Sequence, residues 1–269
     1  MNLMALDSMK WPAAGASFEN QLEELFEAGF EGIQFATPAT ASQLTCCRRL
    51  QMGIAGSVRI DYPSDAARFA EQMAGEGYEC ATVHAGWGIE DDAQVNELVH
   101  SILEASARWR FPLFIETHRA TICQDMWRTV QLTKRFPNIR FNGDFSHWYA
   151  GQEMVYGGFD RKFAFIQPVI ERVRFLHGRI ANPGCIQVPP LAGDNPPAYM
   201  QHFRELWTAV FRAFLAGADE DSICFTPELL APDIYYARAI SGSEESDRCK
   251  DSLFLNGLAK ECFQFAQFC

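Results

Sequence analysis

The chain has 269 residues, 48% of them hydrophobic, and a formal net charge of −11 with a pI near 5.0. That length and apolar content can build a sizeable core, in one large domain or two small ones. The acidic excess argues against nucleic acid or an anionic membrane as partner, since both attract basic surfaces, and favours a small substrate complemented locally.

In chain order, eight strand-like apolar runs alternate with helical patterns: NLMALD (2–7), GIQFAT (32–37), GIAGSVRI (53–60), CATVHAG (80–86), PLFIETH (112–118), IRFNGDF (139–145), VRFLHGR (173–179) and SICFTPE (222–228). Between them FENQLEELFEAGF, AARFAEQMAGEGY, VNELVHSILEASARW, MWRTVQLTKRF and AYMQHFRELWTAVFRAFLAGA repeat Leu, Phe, Val and Ile at three- and four-residue spacing. Strand-then-helix units in this number and length predict an α/β protein, a single-domain (β/α)8 TIM barrel over residues 1–269. A doubly wound open sheet would carry a glycine-rich phosphate turn after its first strand, and no GxGxxG stands there. The run ANPGCIQVPPLAGDNPP (181–197) is too rich in Pro and Gly for a helix and is expected to loop over the barrel mouth. A helical tail occupies about 229–269, with its last helix in SLFLNGLAKECFQFAQF (252–268).

The nine cysteines are scattered without CxxC spacing, and the chain opens MNLMALDSMKW, without a basic-then-apolar leader. They read as reduced thiols of a cytoplasmic protein, and no apolar run reaches the roughly 20 residues a bilayer requires.

In such a barrel the carboxyl ends of the strands share one mouth where ligands bind. Strands four to eight all end there on titratable groups: His84; Glu116 and His118; Asp144, with His147 just beyond; His177 and Arg179; and Glu228. Residues two apart on a strand share a face, so Glu116 and His118 can point together, as can His177 and Arg179. Any one polar residue after a strand is as often a helix cap or loop contact. The set is harder to dismiss, because three converging carboxylates would resist desolvation at several kcal/mol each unless a cation sat among them. Three oxygens and one nitrogen with room for substrate suit Mn2+ first, then Mg2+ or Co2+, and catalytic Zn2+ also accepts such ligands.

The order of these residues, carried by ETHR (116–119), DFSHW (144–148), LHGR (176–179) and TPE (226–228), resembles the xylose isomerase-like TIM-barrel superfamily. Within it, the chain looks most like the ketose 3-epimerases, the inosose dehydratase-type enzymes and the uncharacterised sugar phosphate isomerase/epimerase proteins. The resemblance implies one divalent ion held by Glu116, Asp144, His177 and Glu228, with Glu116 and Glu228 doubling as the acid–base pair and His147 touching substrate. It also implies a metal-dependent sugar or polyol isomerase or epimerase that forms an enediolate by removing a proton next to a carbonyl. Inosose dehydratase-type elimination is the alternative. The epimerases place a substrate-binding Arg several residues after the strand-seven His, where this chain has Pro183, and Arg179 is the nearer candidate. His84, His118 and Arg119 either bind substrate hydroxyls or hold the metal ligands through hydrogen bonds.

Trp87, Trp148, Tyr235 and Tyr236 follow strands and are candidates to line the mouth, with plain packing as frequent a role. Arg59 and Asp7 read as members of structural ion pairs. Apurinic-site endonucleases share the barrel, but their basic groove and imidazole-rich zinc cluster are at odds with this acidic, carboxylate-rich chain. A non-catalytic sugar-binding barrel is the remaining rival. Related barrels commonly self-associate, so the resemblance also implies a homo-oligomer.

Overall fold

The computed structural model describes residues 1, 2, 4, 17–156, 158–191, 193, 195–217 and 222–268. Seven parallel strands follow in chain order around one sheet: β1 (Gly32–Phe35), β2 (Gly53–Ile60), β3 (Cys80–Ala85), β4 (Leu113–Glu116), β5 (Phe141–Gly143), β6 (Val173–Gly178) and β7 (Cys224–Pro227). Each pairs with the next, so that Gly32 lies beside Gly53, Arg59 beside His84, Glu116 beside Asn142 and His177 beside Thr226. The result is a nearly closed barrel. The run expected as the first strand, 2–7, lies outside the described residues except for Asn2 and Met4, and Asp7 falls with the undescribed part. Asn2 forms a parallel bridge to Gln34, which is where an eighth strand would join β1.

Between the strands run helical crossovers, the form a parallel connection requires. Helix α1 (Phe18–Glu27) precedes β1, and α2 (Ala41–Arg49), α3 (Pro63–Glu76), α4 (Asp92–Trp109) and α5 (Met126–Arg135) join successive strands to β5. Local sequence accounts for their bounds. Helix α4 starts at Asp91, whose carboxylate accepts from Gln94 N in a reciprocal capping box, and it stops where Arg110 turns left-handed at φ 50°. Its buried residues, Val95, Leu98, Val99, Ile102 and Ala105, recur at three and four and form the stripe that faces the barrel. Each buried Leu, Ile or Val contributes about 1.5–3 kcal/mol against conformational entropy.

The β5–β6 connection departs from the expected pattern. Instead of one long crossover there are three short helices, α6 (Phe145–Gly151), α7 (Phe159–Phe165) and α8 (Gln167–Ile170). Strand β5 is only three residues long because Asp144, expected inside a strand over 139–145, caps α6 and accepts a hydrogen bond from Ser146 N. The described residues of 181–197 are non-helical, as their Pro and Gly content predicts, and α9 (Ala198–Ala216) follows. Beyond β7, the tail makes a 3-10 turn (Pro232–Ile234), a small hairpin of β8 (Ala239–Ile240) and β9 (Ser243–Glu244), and α10 (Arg248–Gln267). Helix α10 packs on α9 and against β7, close to where the sequence places the last helix. Among the described residues, no helix is long and apolar enough to cross a membrane.

Candidate metal centre

At the carboxyl ends of the strands the fold gathers Glu116 from β4, Asp144 at the start of α6, His177 from β6 and Glu228 just past β7. One ligand atom from each of the four lies within 4.8 Å of all the others. Glu116 and Asp144 are wholly inaccessible, and His177 is 2% exposed. His177 turns Nδ1 to this group, 3.5 Å from Glu116 Oε2, 3.3 Å from Glu228 Oε2 and 3.9 Å from Asp144 Oδ2.

What holds that ring in place comes largely from amides that the sequence reading did not single out. Gln34 in β1 is fully buried; its Oε1 lies 3.0 Å from His177 Nε2, and its own Nε2 donates to Thr82 Oγ1 at 3.0 Å. A ring nitrogen bonded in this way fixes the tautomer and leaves Nδ1 for a ligand. Asn2 donates both to Gln34 Oε1 at 2.8 Å and to Glu228 Oε1 at 3.0 Å. Asn142 in β5 donates to Glu116 Oε2 at 3.0 Å and lies 3.1 Å from His177 Nδ1. The available signal was a polar amide inside an otherwise apolar buried strand, in GIQF and in RFNG. Gly178 separates His177 from Arg179 because a Cβ there would sit 2.2 Å from the Phe225 ring.

Arg179 is fully buried and lies among the carboxylates. Its guanidinium bonds Asp144, approaches Glu228 Oε2 at 3.0 Å, donates to Ser146 Oγ at 3.0 Å and rests 4.6 Å from the centre of the Tyr236 ring. Arg179 is the one permanent cation among the three carboxylates, and the remaining charge falls to the His177 imidazole. Glu116 Oε1 is buried with no hydrogen-bond partner. An oxygen in that position, three carboxylates and an imidazole within one ligand-to-ligand span fit a divalent cation.

The three remaining mouth histidines form a row of close, mutually tilted rings. His84 and His118 ring centres lie 4.4 Å apart, and those of His118 and His147 3.8 Å apart. His84 Nε2 lies 3.2 Å from Glu116 Oε2, and His147 Nε2 lies 3.4 Å from Asp144 Oδ2. His147 Nδ1 is buried without a partner. His84, Glu116 and His118 also bring ligand-type atoms within 4.8 Å of one another, joined to the main set through Glu116. Every candidate site residue therefore lies in one connected cluster.

Electrostatics divides the carboxyls. Burial works to raise Glu116, but His177 and His84 outweigh it and hold the group well below the usual carboxylate range. Burial likewise opposes ionisation of Asp144, and Arg179 with His147 overcomes it, so Asp144 is lowered too. At Glu228 burial prevails and the carboxyl is raised. His177 resists burial through Glu228 and Glu116 and is raised to about 9, while burial carries His118 down to about 2. Two carboxyls with affinities pushed apart suit an acid and a base at one pH.

Of the aromatic candidates, Trp148 does not line the mouth. It is fully buried in α6, where Nε1 donates to Cys123 O at 2.9 Å, a core role set by the need to satisfy its one donor. Trp87 is half exposed with Arg59 stacked 3.9 Å over its ring, and Tyr235 is almost wholly exposed. Arg59 lies 3.9 Å from Asp61, an ion pair of the kind expected for it, and Asp7 lies outside the described residues. Tyr236 alone of the four meets the cluster, with its hydroxyl 3.4 Å from His118 Nε2.

No family model matches the sequence, and a search of curated proteins gives no match. Solved structures do match. A xylose isomerase-like TIM barrel protein from Mycobacterium smegmatis, in complex with magnesium, is 12% identical over 97% of this chain and 96% of its own, with a TM-score of 0.56. A xylose isomerase domain protein from Planctomyces limnophilus is 13% identical over 92% and 94%, with a TM-score of 0.58. The probable 3-DHS dehydratase AsbF from Bacillus anthracis is 19% identical over 68% and 73%, with a TM-score of 0.51. At such identities the likeness is one of backbone, and with the strand order it establishes that this chain has an α/β TIM-barrel fold like that of these proteins.

Proposed function

We propose that the protein is a divalent metal-dependent enzyme that moves a proton next to a carbonyl of a sugar or polyol, as an isomerase or epimerase. One observation carries the reading: the ligand atoms of Glu116, Asp144, His177 and Glu228 converge within 4.8 Å while Glu116 Oε1 is buried and unpartnered. These four residues would hold the ion, with Mn2+ the first choice and Mg2+ supported by the magnesium-bound neighbour of like fold. When bound, the ion would polarise the substrate carbonyl and stabilise by several kcal/mol the charge that develops on deprotonation.

The rest is the work of the chain's own groups. Glu116, held ionised by His177 and His84, would accept the proton, and Glu228, whose carboxyl is raised, would return one. Return to the opposite face inverts a centre, and return to the neighbouring carbon isomerises. Arg179 positions Asp144 and Glu228, and Gln34 aims His177. The neighbouring rings of His147, His118 and His84 would meet substrate hydroxyls. The same apparatus would expel water from a β-hydroxy ketone, a second reading favoured by the fold shared with a probable dehydratase.

Incubation with Mn2+ and a panel of ketoses and inososes in deuterated water tests this directly, because solvent deuterium enters at carbon wherever the C–H bond is broken. Glu228→Gln is expected to abolish labelling, by about 10² or more, and to retain much of the bound metal. Unlabelled substrates across the panel, with metal bound, would instead indicate a sugar-binding barrel without chemistry.

A further inference from the structure

The outer rim of the mouth carries a charge that the reaction above does not use. Arg119 follows the β4 strand end, its side chain is exposed, and among the described residues no acidic group pairs with it. It is nonetheless placed: its guanidinium lies 5.1 Å from the centre of the Tyr236 ring, and its own carbonyl bonds His118 Nδ1. Tyr236 in turn contacts Arg179, His118 and His147. A guanidinium resting on an aromatic face is held in orientation while its N–H edge stays available.

Charge accounting gives this placement a meaning. With a divalent ion seated and His177 neutral as a ligand, the ion and Arg179 together balance Glu116, Asp144 and Glu228. Counted with all three carboxyls ionised, the inner ring is then neutral. Among the described residues, Arg119 is a cation at the mouth with no acidic partner, one aromatic ring away from Arg179. A planar fork of N–H donors matches a carboxylate in two parallel bonds, and no glycine-rich phosphate cradle follows β6 or β7 to favour a phosphoryl group instead.

We infer that Arg119 and Tyr236 form an anion clamp at the rim, and that the substrate is a polyhydroxy carbonyl compound bearing a carboxylate rather than a neutral sugar. This rests on the proposed site being a substrate site, and it specifies that substrate's charge.

Paired probes separate the two claims. Isothermal titration of the Mn2+-loaded protein would compare gluconate with glucitol, and quinate with myo-inositol, with glucitol 6-phosphate as the phosphate arm. Each acid is expected to bind about tenfold or more tighter than its neutral partner, the scale of a charge-assisted pair. Arg119→Met should remove that preference with melting temperature and manganese stoichiometry unchanged, and Arg119→Lys should keep only part of it. Equal binding of acid and neutral probes, binding of neither acid, a preference that survives Arg119→Met, or tighter binding of the phosphate each overturns the clamp. The manganese content of the same samples reports separately on the metal reading, which stands or falls without reference to Arg119.

Discussion

At the residue scale, the centre depends on amides as much as on charges. His177 can present Nδ1 only while Gln34 Oε1 engages its Nε2, and Gln34 is itself fixed by Asn2 and Thr82. Replacing Gln34 by Leu keeps the volume but strands two buried N–H donors and a hydroxyl, so the imidazole loses its aim. Manganese affinity measured by titration should fall about 10- to 100-fold. Gln34→Glu, which keeps an acceptor for His177, is expected to lose less; an unchanged affinity in Gln34→Leu would mean that packing alone orients the ring. The candidate ligands were legible in ETHR, DFSH, LHGR and TPE because a carboxylate at a strand end is conspicuous against an apolar run. The amides were not, since one Gln or Asn in a strand carries no direction until its neighbours across the sheet are known.

Elements tell a similar story. Helix α6 is capped by Asp144, a candidate metal ligand, and ends near Tyr149, whose hydroxyl lies 2.7 Å from His202 Nδ1 on α9. His202 stacks flat on Phe159 of α7 at 3.8 Å between ring centres, so three elements behind the site meet at one imidazole. Burial lowers its proton affinity below the ordinary imidazole value of 6.5, against the opposing pull of Glu205 and Asp160. The unfolded chain therefore takes up the proton first as pH falls. The stability His202 contributes is present above about 6.5 and drains as pH drops below that value toward the folded one. Comparing urea midpoints, the advantage of the wild type over His202→Gln should be larger at pH 7.5 than at pH 5. A constant difference would show that the ring titrates alike in both states. Nothing in AYMQHFREL marks this histidine as an interface group, because its partners come from 40 or more residues upstream in the chain.

For the whole molecule, the consequence of the site is a linkage between ion and fold. Three carboxylates buried at the mouth are matched, without an ion, by Arg179 and the His177 imidazole alone, and a divalent ion would add to that compensation. An ion that binds the native barrel alone stabilises it by about 2.7 kcal/mol at 100 times its dissociation constant. Melting temperature should thus climb with manganese concentration by several degrees, return on chelation, and stay flat in Glu116→Gln. An equal rise in that variant would locate the ion elsewhere.

The sequence by itself determined the α/β alternation, the parallel barrel and the strand ends on which Glu116, Asp144, His177 and Glu228 stand, because hydrophobic period and chain direction are local properties. It also marked the 181–197 run as non-helical, through Pro and Gly. Only the tertiary structure decided that Arg179 would sit inside the carboxylate ring, that Trp148 would turn to the core, that Asp144 would cap a helix and that Gln34, Asn2 and Asn142 would hydrogen-bond His177, Glu228 and Glu116. Those outcomes depend on distances between residues remote in sequence, which closing the barrel sets and no local pattern encodes.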